Sequence, residues 1–299
     1  MGDAVTTPPA GDAGGDAVVD AATDARTESG APTCFGQPFT TPRQITAATG
    51  DGGAFVGLYG PRVWSNNVYL SGIPYGTTFD MYRAAWPASL PATVNLGVLT
   101  PITSLNGSDL DWPPTISDSG AYVVFARGPV GSRNLFVGTG AVNAWPTVGA
   151  IPSTTINTSD DEADPWLAGK PPAALYFTRL QSSGSIGTIQ RAPVTAQTPA
   201  FGNPVAVTVS CGAPICATPL TTPDESILVF ASWDSTGGFM PTVKESHLTK
   251  SGSNVTADAP VPHPELGNRY PSWISDDACT VIVAHGEANQ LYVATRTPK

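Results

Sequence analysis

Charge is scarce in this chain. Only 13% of its 299 residues are Asp, Glu, Lys or Arg, and the acids outnumber the bases by 24 to 14. An acidic surface repels phosphate backbones, so no nucleic-acid partner is expected. Long apolar runs are missing too. Nothing approaches the roughly 18 residues that mark a membrane-spanning helix, so no transmembrane segment is expected. The start has neither a basic n-region nor an apolar h-region. No stretch sustains an apolar period of 3.6 residues, which leaves little room for helix. Histidine occurs three times, as His247, His263 and His285. None accompanies a G-x-S-x-G turn, and no Walker or Rossmann glycine loop exists, so triad and phosphate-loop chemistry have no seat here.

Turn formers are plentiful, with 31 Gly and 30 Pro, and 41% of residues are hydrophobic. That balance favours many short strands packed around a sizeable core. Residues 1–33 are an exception. They contain no aromatic residue, and Asp12, Asp16, Asp20 and Asp24 recur four apart, where like charges oppose a helix. Such a segment cannot bury enough apolar surface to order itself, and a disordered acidic tether is expected. The four cysteines fall into two sets. Cys211 and Cys216, in "SCGAPICA", suit a small disulfide-closed turn. Zinc would need two further ligands at motif spacing, and none is nearby. Cys34 and Cys279 lie at opposite ends of the chain and can bond only if those ends meet.

One phrase recurs along the chain: "PPTISDSGAYVVFA" at 113–126, "DPWLAGKPPAALYFT" at 164–178 and "YPSWISDDACTVIVA" at 270–284. Aligned on proline, the copies begin at Pro61, Pro114, Pro165, Pro219 and Pro271, at intervals of 53, 51, 54 and 52 residues. After the proline come a short strand, a turn ("SNN", "SDSG", "AGKP", "TPDE", "SDDA"), a buried strand such as Val123-Val124-Phe125, and a third strand such as "NLFVGT". A variable fourth strand leads to the next copy. Four antiparallel strands per unit of about 50 residues is the pattern of a β-propeller blade.

The phrases "PPTISDSGAYVVFA…RNLFVGT" and "YPSWISDDACTVIVA…NQLYVAT" resemble the TolB-type propeller repeat, a WD-like motif. The likeness covers about residues 38–299 and is loose in the third copy, where "LAGKP" replaces the Ser-Pro-Asp-Gly turn. It implies an all-β propeller fold. TolB itself resembles a six-bladed ring with an extra N-terminal domain, whereas the five copies counted here give a five-bladed β-propeller of four-stranded antiparallel blades at about 48–100, 101–152, 153–209, 210–262 and 263–299, so TolB's partners are not carried over. The last copy lacks a fourth strand, and the orphan segment "PFTTPRQITA", residues 38–47, is expected to supply it and close the ring. The tether is similar to the linkers that follow the acylated cysteine of bacterial lipoproteins. That implies an exported protein of the periplasm, outer membrane or cell surface. Its native start would carry a lipid anchor, with the initial Met standing where the lipid-bearing Cys would be.

In propellers the loops entering each inner strand open at the channel mouth. Here they carry Asp109, Asp111, Asp160, Asp161, Glu162, Asp164 and Arg269, with Trp112, Trp166 and Trp273 beside them. Carboxylates, an arginine and indoles suit a sugar or a cation, and the expected ligand set is Asp111, Trp112, Asp164, Trp166, Arg269 and Trp273. The same tryptophans also suit packing between blades. "SDDEAD" places Asp160, Asp161, Glu162 and Asp164 as a weak Ca²⁺ loop without EF-hand spacing; no other cofactor is expected. Five-bladed propellers are similar to several glycoside hydrolase families, and Asp111 and Asp164 on neighbouring strands are the candidate pair. The first copy, "GLYGPRVW", offers no acid near Pro61, and the Asn-Asp-Pro-like setting of those families is absent. The balance favours a monomeric, non-catalytic propeller that binds or scaffolds a protein or glycan in the cell envelope, with a glycoside hydrolase as the alternative.

Overall fold

The computed structural model of the chain describes residues 34–48, 55, 57–73, 79–196, 199–237, 240–285 and 290–298. Residues 1–33, and the tether expected there, lie outside them. The described residues belong to one compact unit spanning 32–299. They are all-β: no α-helix occurs among them, only the 3-10 turns Ser235–Gly237 and Pro264–Leu266. No helix among them is long and apolar enough to cross a membrane.

The strands form successive antiparallel groups. The first is Gly57–Trp64, Asn67–Ile73, Asp80–Ala85 and Thr100–Pro101; the second is Thr115–Ile116, Tyr122–Arg127, Asn134–Thr139 and Thr147–Ala150. The third is Asp161–Ala168, Ala174–Leu180, Gly187–Ala196 and Val205–Ala206. The fourth is Ile215–Thr221, Ile227–Trp233 and Thr242–Ser251, edged by Asn254–Ala257 and Val261–Pro262. The fifth is Arg269–Ile274, Thr280–His285 and Gln290–Thr295. Arg43–Ala48 pairs antiparallel with Gln290–Thr295, opposing Ile45 to Leu291, and its other edge pairs parallel with Val94–Val98. Each second strand is buried on both faces, as at Val68-Tyr69-Leu70, Leu175-Tyr176-Phe177 and Val281-Ile282-Val283. Each such side chain contributes about 1.5–3 kcal/mol of burial.

The refrain has a structural cause on each side of its proline. After it, the turn closes through one repeated hydrogen-bond set. Asp224 Oδ1 accepts from Ser226 N at 3.0 Å and from the Thr222 hydroxyl at 2.6 Å. Asp277 Oδ1 accepts from Cys279 N at 2.9 Å and from the Ser275 hydroxyl at 2.5 Å. Ser119 plays the same part in the second group. The next residue turns left-handed: Gly120 (φ 72°), Glu225 (φ 56°) and Ala278 (φ 58°). Hence the "S-x-D-G" spelling, a turn built by a short polar side chain on its own backbone.

At the proline the sequence-based expectation needs correcting. The inner strand does not start after the proline but runs through it in four groups. It does so at a β-bulge, between Tyr59 and Arg62, Ala163 and Trp166, Ala217 and Leu220, and Pro271 and Trp273. Proline has no N–H to give the ladder, and a bulge leaves one residue unpaired, so the two coincide. In three of these bulges the preceding residue is left-handed: Gly60 (φ 45°), Asp164 (φ 51°) and Thr218 (φ 54°). Gly60 is required there. A Cβ would stand 2.1 Å from Pro113 Cγ, because the first two inner strands approach closely at this point.

Cys34 and Cys279 are juxtaposed at disulfide separation, with Cα atoms 5.1 Å apart, as are Cys211 and Cys216 at 6.0 Å. The first pair meets because residues 34–40 fold back over the fifth group. Thr40 N donates to Thr295 O at 2.8 Å, and Arg296 Nη1 donates to Gln37 O at 3.0 Å.

Candidate functional site

The residues immediately before the five refrain prolines are Gly60, Pro113, Asp164, Thr218 and Tyr270, and all five line one cavity of about 540 Å³. At Gly60, Asp164 and Thr218 the bulge explains the convergence, because it re-aims that position out of the strand's normal alternation; Pro113, ahead of Thr115–Ile116, and Tyr270, paired with Ala284, reach the cavity without one. Tyr59, Trp112, Arg133 and Asp161 complete the polar and aromatic wall, and 181–184 and Trp233 form part of the rim.

Arg133 and Asp161 make a fixed pair at this wall. Asp161 accepts from Arg133 Nε (2.8 Å), Arg133 Nη2 (2.6 Å), Arg133 N (2.7 Å) and Gly131 N (3.1 Å). Burial alone would push the Asp161 carboxyl up, but these bonds and the guanidinium hold it below the ordinary range. Arg133 also lies 4.8 Å from the Trp112 ring, which stacks on Phe79.

Asp164 is differently placed. Its Oδ2 accepts from the Thr178 hydroxyl at 3.0 Å. Burial pushes its carboxyl above the ordinary range, against the opposing pull of Arg133, Thr178 and Arg62. Burial likewise raises the Tyr270 phenol, helped by Tyr59 and Asp164, and raises Tyr59. The cavity therefore offers one carboxylate engaged by Arg133, one carboxyl whose affinity for its proton is raised by burial, two phenols and an indole platform.

A second cavity, of about 370 Å³, lies along the distal halves of the same inner strands, lined by Trp64, Thr115, Trp166, Thr221 and Trp273. Arg62 lines both cavities.

The structure separates the residues that the sequence grouped. Trp112, Asp161 and Asp164 face the first cavity, while Trp166 and Trp273 face the second. Asp111 faces neither. It is 0% exposed, bonded to Arg127 Nε at 2.6 Å and Gly107 N at 2.7 Å. It pins the loop entering the second group, so the expected Asp111–Asp164 pair does not meet across the mouth. Arg269 lies 4.2 Å from the Tyr292 ring and donates to Leu266 O, also outside both cavities. Asp109 is exposed. Of the calcium candidates, Asp161 is held by Arg133 and Glu162 by Thr158 and Arg179. No three Asp, Glu, His or Cys residues are grouped as a metal-binding set among the described residues.

No family model and no curated protein matches the chain. Among solved structures it is similar to a thermostable family-43 glycoside hydrolase (TM-score 0.52, 11% identity, covering 81% of this chain and 95% of that one). It is also similar to a family-43 β-1,3-galactosidase solved with galactodeoxynojirimycin (TM-score 0.50, 9% identity, 83% and 92%). A third is TolB from Acinetobacter baumannii (TM-score 0.42, 13% identity, 87% and 55%), of which this chain spans about half the length. At such identities the likeness extends to the fold, an all-β chain with propeller neighbours.

Proposed function

We propose that the chain is a non-catalytic binding propeller that takes a glycan in the cavity beside Trp112. In this reading the five strand groups are blades of a ring, Arg43–Ala48 closes it, and the pre-proline residues line its channel. One observation carries the non-catalytic part. Glycoside hydrolysis generally needs two carboxyl groups free to face each other across the bond. Among the described lining residues the carboxyls are Asp161 and Asp164, both from one strand, and Asp161 is taken up by four hydrogen bonds. What remains (Trp112, Tyr59, Tyr270, Asp164 and the serine-rich rim) is a stacking platform with hydrogen-bonding groups around it. The two cysteine pairs support export to an oxidising compartment. A lipid anchor ahead of the tether and a monomeric state belong to the same reading.

The second reading is a hydrolase. The raised Asp164 carboxyl beside two arginines favours it, since such a group can hold a proton for a leaving oxygen. One experiment separates the two. Neutral oligosaccharides of one to four units are titrated against the protein by calorimetry, and the mixtures are then assayed for reducing ends. Binding without product, weakened by Trp112→Ala, is the expected result. Release of reducing sugar that Asp164→Asn abolishes would establish the hydrolase instead. No binding to any glycan would leave a protein partner as the ligand.

A further inference from the structure

Three arginines are buried among the described residues: Arg62, Arg133 and Arg296. Arg133 is bonded to Asp161 and Arg296 to Glu245. Arg62, 5% exposed, makes no ion pair of this kind. Its guanidinium donates only to two carbonyls, Pro61 O at 3.3 Å and Pro165 O at 3.2 Å, with the Trp166 ring 4.9 Å away. Its Nε has no protein partner. Three hydroxyls lining the two cavities share that condition: Thr218 and Ser272 on the first, Thr221 on the second. Four of the six such atoms among the described residues therefore gather along the inner strands. A buried donor left unpaired costs about 1–3 kcal/mol, so this concentration asks for an acceptor.

We propose that the second cavity binds a carboxylated sugar, a hexuronate, whose carboxylate meets Arg62 and the Thr221 hydroxyl while its ring packs on the indoles of Trp64, Trp166 and Trp273. The charge argument comes first. Burial lowers Arg62 to about 9, which still leaves it cationic at neutral pH. Asp164, the acid whose charge reaches it, makes no ion pair with Arg62 and is instead hydrogen-bonded to Thr178. An anion is the complement, and a guanidinium fork fits a carboxylate. Size and wall decide the rest. About 370 Å³ holds a body of one sugar ring, and three indoles give it flat apolar faces. Lys170 and Asp276 bridge at this lining and cancel each other's charge, and the remaining acid of the lining, Asp118, is exposed to solvent, where its charge is screened. The proposal does not depend on what the first cavity holds.

The test is calorimetric titration of the full-length protein with glucuronate, glucose and inorganic phosphate. Glucuronate is expected to bind about tenfold more tightly than glucose, the worth of one charge-assisted hydrogen bond. Arg62→Gln should erase that preference with the near-ultraviolet dichroism unchanged. Thr221→Val and Trp64→Ala, which keep the guanidinium, should each weaken glucuronate. If Arg62→Gln does not fold, those two variants decide, and unchanged glucuronate affinity in both overturns the proposal. Equal affinity for glucose and glucuronate overturns it. So does phosphate binding as tightly as glucuronate, which would mark a simple anion site. No heat with any solute would mean that water alone meets these atoms, and the proposal falls.

Discussion

The Thr178 hydroxyl donates to Asp164 Oδ2 at 3.0 Å and accepts from the backbone N–H of Thr218 at 2.9 Å. One side chain on the second strand of the third group thus ties together two left-handed bulges on adjacent inner strands. Thr178→Val is nearly isosteric and removes both bonds. It should cost about 1–3 kcal/mol, because the buried Thr218 N is left unpaired and the half-buried Asp164 loses its hydroxyl partner. It should also raise the Asp164 carboxyl further, since the hydroxyl bond pulls it down. Urea unfolding gives the first quantity as a lower midpoint at unchanged slope. Thr178→Ser should restore most of it. A valine variant as stable as the parent would show that the bond is idle.

A second prediction concerns pH. Glu245 is 0% exposed and is bonded to Arg296 at 2.9 and 2.7 Å; His263 Nε2 lies 3.1 Å from it, and Gly36 N donates to it. Burial pushes its carboxyl up, but these partners outweigh burial and bring it to about 2. A folded value below the unfolded one means stability that is present above about pH 4.5 and lost as pH falls towards 2. The size is on the order of 3 kcal/mol. Unfolding free energies of the parent and of Glu245→Gln, measured from pH 6 to 2, should converge as the pH falls. Parallel curves across that window would remove Glu245 from the acid transition.

How much of this was legible in the sequence follows from the bulge. The recurring prolines and the buried strands after them stood out, because proline placement and apolar runs are local signals. The site did not, because the lining position is the residue before each proline, and Gly60, Pro113, Asp164, Thr218 and Tyr270 share no chemistry. Trp112, Trp166 and Trp273 looked equivalent because each stands near a refrain proline. Yet Trp112 precedes its proline and lines the first cavity, while the other two follow theirs and line the second. Arg62 in "GLYGPRVW" carries no local signal, because its burial and its lack of an ion pair depend on the distant strand that holds Pro165. Arg133 comes from the loop between the second and third strands, where nothing in "GSRNLF" announces its distant partner Asp161. An equal-interval alignment read one residue before the proline would have found five residues that line the first cavity.

The cysteines give a third prediction. In the chain-entropy model a disulfide's worth grows with the loop it closes. Cys34–Cys279 is separated by 245 residues and Cys211–Cys216 by 5. The model assigns roughly 5 kcal/mol to the first and about 2 kcal/mol to the second. Cys279→Ser should therefore lower the melting temperature more than Cys216→Ser does. Mass spectrometry of unreduced peptides should find both pairs in protein prepared under oxidising conditions. Equal melting shifts for the two variants would count against the long-range pair.

The last prediction tests ring closure. Arg43–Ala48 covers the edge of Gln290–Thr295, and Ile45, 2% exposed, packs with Val94, Leu291 and Val293. Ahead of the strand, Phe39 lies under Arg296, 4.3 Å from its guanidinium, and Phe39 N donates to Glu265 at 2.8 Å. A chain beginning at residue 48 loses all of these together with Cys34. Its Gln290–Thr295 strand then shows unpaired N–H and C=O groups beside newly exposed Leu291 and Val293, the condition that invites edge-to-edge association. The loss should be comparable with a whole domain's stability, about 5–15 kcal/mol, and the shortened chain should aggregate. Two controls isolate the strand. Full-length Cys34→Ser removes only the cysteine pair and should stay folded. Ile45→Ala, in the otherwise intact chain, should cost about 2–4 kcal/mol. A shortened chain that melts with full-length Cys34→Ser would mean that residues 34–47 merely rest on the fifth group. The proposed closure by Arg43–Ala48 would then fall.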